Sequence, residues 1–173
     1  MLPPVIFVLG GAASGKSVFA ESLILNSGLD PHYVATLRPH DAEMVQKIEL
    51  HKSRRGSNWG LSDAQSDLGE TLRAIPAHTA TLLDCATMWL TNQMMDGASL
   101  DGAPSEFVEI LRQCGGPIVV VSNEVGQGIV PDNAMARQFR EAQGRLNIAV
   151  AGAADVVVQV VAGLPHVLKG TLP

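Results

Sequence analysis

Short apolar runs alternate along this chain with stretches whose apolar positions recur every three or four residues. Runs of the first kind predict buried strands, and stretches of the second predict helices with one inward face. Strands are expected at residues 5–9, 32–36, 80–84, 117–122 and 156–161. The first is followed by a helix through residue 25, with Phe19 and Leu23 inward and Ile24 at their margin. After the second strand, Asp41 has the chemistry of an N-cap for a helix running to about Arg54. A polar loop at 55–58 leads to Trp59, and Ala64, Leu68 and Leu72 then fall on one stripe of a further helix. The third strand runs into a helix with Met88, Trp89 and Met95. Residues 96–104 read as a surface linker, after which Ser105 is placed to cap a helix with Phe107, Val108 and Leu111 inward. A glycine-bearing loop at 126–131 precedes a long helix starting near Asp132. Gly163-Leu164-Pro165 predicts a turn into a last antiparallel edge strand.

Strands alternating with helices predict an α/β fold, a mostly parallel sheet flanked by helices, in a single domain over 1–173. Ligands of such sheets sit at the carboxyl ends of the strands. Those ends carry Gly10, Thr36, Asp84 and Ser122-Asn123-Glu124, so the polar groups gather on one rim.

The most specific stretch is Gly10-Gly11-Ala12-Ala13-Ser14-Gly15-Lys16-Ser17, a G-x-x-x-x-G-K-S run between a predicted strand and a predicted helix. Its glycines let successive N–H groups converge on one concavity, to which a helix N-terminus adds partial positive charge. Lys16 is expected to reach the β- and γ-phosphates of a nucleoside triphosphate, and the Ser17 hydroxyl to ligate Mg²⁺. A turn that only joined strand to helix would not require a lysine and a serine at these offsets.

Composition narrows the classes. The chain has 173 residues, of which 46% are hydrophobic and 17% charged, as in a folded globular protein. A net charge of −5 argues against a dedicated nucleic-acid binder. Cys85 and Cys114 are too few for a disulfide framework and read as small apolar residues in a reducing cytosol. No run is long enough to span a bilayer, and the N-terminal apolar run is short and lacks a basic flank, so a cytoplasmic protein is expected.

Asp84 ends an apolar strand, where phosphate-loop enzymes place a second Mg²⁺-side carboxylate, although a cap for the next helix is the competing role. Glu124 either orients a substrate hydroxyl or holds the loop after its strand, and Arg137 and Arg140 either reach phosphates or decorate the long helix. His51 lies on or beside an apolar stripe and is followed by Lys52, Arg54 and Arg55, a basic cluster in an acidic chain. A polyphosphate contact with the imidazole as nucleophile or acid fits this pattern. So do a histidine packed on the sheet and a solvated helix end, and the residues themselves leave these open. His32, His40, His78 and His166 lack zinc-ligand spacing, so no structural metal is expected, and the guanine-reading N-K-x-D signature is absent.

In these residues the chain resembles, nearly end to end, the bifunctional adenosylcobinamide kinase / adenosylcobinamide-phosphate guanylyltransferase family of cobalamin synthesis. The similarity runs through the phosphate loop, Tyr33-Val34-Ala35-Thr36, Asp41-Ala42-Glu43-Met44 with Ile48 and His51, and Leu82-Leu83-Asp84-Cys85 with Trp89-Leu90-Thr91-Asn92. It continues through Ser122-Asn123-Glu124-Val125-Gly126, Gly128-Ile129-Val130-Pro131, Leu146-Asn147 and Val161-Ala162-Gly163-Leu164-Pro165. The resemblance implies a RecA-like sheet, a homotrimer and two reactions. ATP or GTP phosphorylates adenosylcobinamide; GMP then passes from GTP to a histidine, matched by His51, and on to the cobinamide phosphate. It also implies nucleotide contacts at Ala35, Thr36, Leu37, Lys52, Ser53, Arg54, Arg55, Asp63 and Asp84. Ala13 stands where the family has arginine, Leu61 and Asp63 where it has threonine and glutamate, and Ile148 where it has glutamine. A single-function phosphate-loop kinase and a non-catalytic nucleotide-binding regulator are the alternatives that the loop by itself would allow.

Overall fold

A computed structural model describes residues 1–38, 58–64 and 67–173. Seven strands form one sheet: β1 Val5–Gly10, β2 Asp30–Ala35, β3 Gly60–Asp63, β4 Thr79–Asp84, β5 Ile118–Asn123, β6 Val156–Val161 and β7 Leu164–Lys169. Their order is β3-β2-β4-β5-β1-β6-β7, with every pairing parallel except the β6–β7 hairpin. The described helices are α1 Lys16–Leu25, α2 Leu68–Ala74, α3 Ala86–Met95, α4 Ala103–Leu111 and α5 Ala134–Ala153.

The central strands are apolar on both faces because helices cover both faces. Successive side chains of a strand point to opposite sides and so sort into two cores. Phe7, Val34, Leu83, Val120 and Val157 pack with Leu68 and Leu72 of α2, Trp89 of α3, Phe107 of α4 and Leu146 of α5. Their neighbours Ile6, Val8, Leu82, Val119 and Val158 pack on the other side with Ala20 and Ile24 of α1. The Trp89 and Phe107 rings lie 4.7 Å apart, tilted by 47°, a favourable aromatic pair.

Three expectations are corrected. The buried stripe of α1 is Lys16, Ala20 and Ile24, with Phe19 and Leu23 only partly covered. Ala64 is not helical: residues 60–63 form an unexpected edge strand, the Ala64 N–H bonds Ala35 O at 2.8 Å, and α2 begins after Asp67. Asp67 Oδ1 caps it by accepting from Glu70 N–H at 2.8 Å. Gly60-Leu61-Ser62-Asp63 has no β-branched residue to announce a strand, and pairing with β2 makes it one. Ser105 is not a cap either. Helix α4 starts two residues earlier with Pro104 in its first turn, where a missing N–H costs nothing. The expected helix at 41–54, most of the loop at 55–58, and His40 lie outside the described residues.

Strand β7 is exposed at all six positions. Such an edge tolerates Pro165, which lacks a ladder donor. Helix α5 is capped by Asn133, whose Oδ1 accepts from Ala136 N–H at 2.7 Å.

Candidate nucleotide site

Strand register brings distant residues onto one rim. Ala35 pairs with both Asp63 and Asp84, Asp84 with Val121, and Gly10 with Asn123. Residues far apart in the chain therefore line the carboxyl edge, and the phosphate loop rises from its centre.

The loop joins β1 to α1 as the motif requires. Gly15 adopts φ +93°, a left-handed conformation in which a β-carbon is strained, and α1 starts at Lys16. Ala13 is also left-handed, at φ 54°. A β-carbon on Gly10 would stand 2.5 Å from Ser14 Oγ and 2.6 Å from Val160 O, so only glycine fits there. Gly11, Ala12 and Ala13 are exposed, whereas Lys16 is buried and its Nζ donates to Gly11 O at 3.0 Å. Ser14 Oγ is buried and has no hydrogen-bond partner among the described residues.

Asp84 is not a helix cap: Cys85 occupies that position. The Asp84 carboxylate instead accepts from Tyr33 OH at 3.1 Å, which orients it on the rim. Thr36 is fully buried; its hydroxyl accepts from Cys85 N–H at 2.9 Å and donates to Cys85 O at 2.8 Å. Its backbone N–H donates to Asp84 O at 3.3 Å, and its carbonyl accepts from Asn92 Nδ2 at 2.7 Å. Thr36 thus clamps the Asp84–Cys85 turn, whose peptide bond is cis. Leu37 follows it, half-buried, and Asp63 is exposed on the neighbouring strand. Burial, reinforced by the Asp84 charge, pushes the Cys85 thiol up to about 12, so it is an un-ionised apolar residue at neutral pH.

The two arginines of α5, left open between phosphate contact and decoration of the helix, bind backbone carbonyls instead. Arg137 donates to the carbonyls of Pro131 and Asp132 at 3.0 and 2.7 Å, and Arg140 donates to Gly126 O. Glu124 accepts from Gly126 N–H at 2.5 Å. These three side chains pin the loop after β5. His32 packs at the β2–β3 edge, where Nε2 bonds Ser62 Oγ at 2.8 Å and burial lowers its pKa. His51, Lys52, Ser53, Arg54 and Arg55 lie outside the described residues.

One group of supporting residues was not anticipated. Asn147 Oδ1 accepts from Ser122 Oγ at 2.7 Å and from Gln143 Nε2 at 2.9 Å, and its Nδ2 donates to Asn123 O at 3.2 Å. Thr87 Oγ1 accepts from Asn123 N–H at 2.8 Å. Both backbone groups of Asn123, the residue beside Gly10, are thereby held by side chains of α3 and α5. The available signal was two amides four apart on the same stripe of α5 as Ala142, Leu146 and Val150.

Comparison with known proteins agrees with this arrangement. Among solved structures the chain resembles a prototypical ATPase of a bacterial type III secretion system (TM-score 0.53, 12% identity), over 96% of this chain but only 57% of that one. The assembled ATPase EscN of enteropathogenic E. coli gives a TM-score of 0.52 over 92% of this chain and 43% of that one. These likenesses show the fold alone. In sequence, the chain is 41% identical over 166 residues to the bifunctional adenosylcobalamin biosynthesis protein CobP of Pseudomonas aeruginosa, covering 94% of this chain and 96% of the relative. It is 38% identical over 182 residues to CobU of Salmonella typhimurium, covering 95% and 99%. The model of the cobinamide kinase / cobinamide phosphate guanyltransferase family matches residues 6–168. A phosphate loop on the rim of a parallel sheet, in a chain matched over nearly its whole length, settles the assignment: this chain belongs to the cobinamide kinase / cobinamide phosphate guanyltransferase family.

Proposed function

We propose that this chain, acting as one domain, catalyses two successive transfers to a corrinoid. In the first, the aminopropanol hydroxyl of adenosylcobinamide attacks the γ-phosphorus of ATP or GTP, loses its proton, and releases the nucleoside diphosphate. In the second, a His51 ring nitrogen attacks the α-phosphorus of GTP and pyrophosphate leaves. A phosphate oxygen of adenosylcobinamide phosphate then attacks that phosphorus, the P–N bond breaks, and adenosylcobinamide-GDP departs from a restored histidine.

The phosphate loop on the carboxylate-bearing rim carries this reading, together with the family membership. Residues 10–17 bind the triphosphate, with Lys16 against the β- and γ-phosphates. Ser17 and Asp84 offer a hydroxyl and a carboxylate oxygen, a hard-oxygen pair suited to Mg²⁺, which when bound offsets the charge of the phosphates. Tyr33 keeps the Asp84 carboxylate in place. Because the side chain of Thr36 is occupied by Cys85, nucleotide contact along 35–37 falls mainly to Ala35 and Leu37. Lys52, Ser53, Arg54, Arg55 and Asp63 complete the GTP contacts. The protein works in the cytoplasm as a homotrimer, without nucleic acid. No described helix is long and apolar enough to cross a membrane.

Incubation with GTP labelled at the α-phosphate tests the central step. Acid-labile, alkali-stable label is expected on the protein and is lost in His51→Ala. Label that persists in this variant would sink the histidine route. Light scattering of the purified chain is expected to give three chain masses.

A further inference from the structure

A loop that aims its N–H groups at phosphate turns its carbonyls away from it, and each of those needs a donor of its own. Gly10 O receives Glu124 N–H at 3.0 Å, Gly15 O receives Phe19 N–H at 3.0 Å, and Gly11 O receives Ser14 N–H at 3.3 Å and Lys16 Nζ at 3.0 Å. Another donor comes from the far end of the chain. The Ser14 carbonyl accepts from Gly163 N–H at 2.8 Å.

Gly163 lies in the turn between β6 and β7, where Val161 pairs with Leu164 across two residues. Ala162 and Gly163 have φ of 51° and 79°, the left-handed pair of a tight hairpin turn. The Val161–Leu164 pair closes the ladder, leaving the Gly163 N–H to project beyond it. A β-carbon on Gly15 would lie 3.0 Å from Gly163 Cα, so the two backbones touch. With Val160 O pressed under Gly10, the hairpin meets the phosphate loop at three points. Strand β7 is exposed throughout and adds nothing to the buried core. The left-handed alanine in the turn is therefore not explained by packing of the strand that follows.

We propose that the Ala162–Gly163 turn is a positioning element for the nucleotide: Gly163 N–H holds the Ser14 carbonyl outward and so keeps the loop's own N–H groups aimed at the triphosphate. This rests on residues 10–17 being the triphosphate site. Linkage makes the coupling reciprocal, so nucleotide must tighten the Gly163 bond as much as that bond tightens nucleotide.

The test is a titration of the full chain with Mg²⁺–GTP. Gly163→Pro removes the N–H and forbids the left-handed φ; it is expected to weaken binding roughly three- to tenfold, the value of one hydrogen bond. Gly163→Asn keeps the N–H, tolerates positive φ, and should bind like the wild type. Lys169→Ala cuts the bonds from Nζ to Ala151 O and Gly152 O at the other end of β7 and should also bind normally. Wild-type affinity in a folded Gly163→Pro, or an equal loss in Lys169→Ala, overturns the proposal. If Gly163→Pro does not fold, amide exchange of the wild type decides: GTP should slow Gly163 by a similar factor and leave the far half of β7 unchanged. Unaltered Gly163 exchange refutes the coupling. Equal GTP binding by wild type and Lys16→Ala would instead remove the phosphate-site reading, and the proposal with it.

Discussion

Asn147 and Gln143 stand one helical turn apart in the same buried network, yet their replacement by leucine should have opposite weight. Asn147 makes three hydrogen bonds, to Ser122, Gln143 and Asn123. At about 1 kcal/mol each, their loss costs roughly 3 kcal/mol, and the half-buried Asn123 carbonyl loses its side-chain donor. Leucine recovers about a third of that through apolar burial, so Asn147→Leu should destabilise by about 2 kcal/mol. Gln143 donates from a single Nε2 to Ser122 Oγ and Asn147 Oδ1, at 3.0 and 2.9 Å. Its Oε1 is buried with no partner among the described residues. Gln143→Leu gives up roughly 2 kcal/mol of bonding and removes an unsatisfied carbonyl that costs about 1–3 kcal/mol, so the net change should be near zero. Urea denaturation midpoints of the two variants, followed by circular dichroism at unchanged slope, measure the difference. Asn147→Leu should also weaken GTP binding, because Asn123 is the register partner of Gly10. An equal loss in both variants, or a larger one in Gln143→Leu, would refute this account of the network.

Two further outcomes follow from the same geometry. Because the Cys85 thiol is raised from 9.0 to about 12 on folding, the unfolded chain releases its proton first as pH rises. The contribution of Cys85 is therefore full below about pH 9 and is lost between there and about pH 12, by at most about 1.4 kcal/mol per pH unit. Cys85→Ala should flatten that alkaline decline in denaturation midpoint, and an unchanged slope would contradict it. At the edge of the sheet, a β-carbon on Gly60 would stand 2.3 Å from His32 Nδ1. Gly60→Ala should cost about 2 kcal/mol by overpacking, but well under half of that in a His32→Ala background. Equal costs in both backgrounds in a double-mutant cycle would rule out the clash as the cause.

Much of this fold is legible in the residue pattern because its signals are local. Val5 to Leu9 read as a strand, and Gly10 to Ser17 as a phosphate loop, since strand, loop and helix are contiguous and their contacts are short-range. The Val156 to Val161 run and the turn signal at Gly163-Leu164-Pro165 announce the final hairpin for the same reason, although the turn itself is Ala162–Gly163 and Leu164 and Pro165 already belong to β7. Asp84 shows itself as a carboxylate ending an apolar run, but local sequence cannot separate a cap from a rim carboxylate. Tyr33, from a neighbouring strand, makes that distinction. Arg137, Arg140 and Glu124 are visible as charged groups near the site; only the folded loop shows that they bind its backbone.

The chain alone therefore determined the fold class, the phosphate loop and the rim on which the candidate site residues gather, because apolar periodicity and glycine placement act within a few residues. Tertiary structure decided what depends on pairing between distant segments: the strand identity of Gly60–Asp63, the side chains that hold Asn123, and the Gly163 N–H behind the phosphate loop. Hydrogen bonds between segments leave no periodic trace in either partner, so they become visible only when strand order and register bring the partners together.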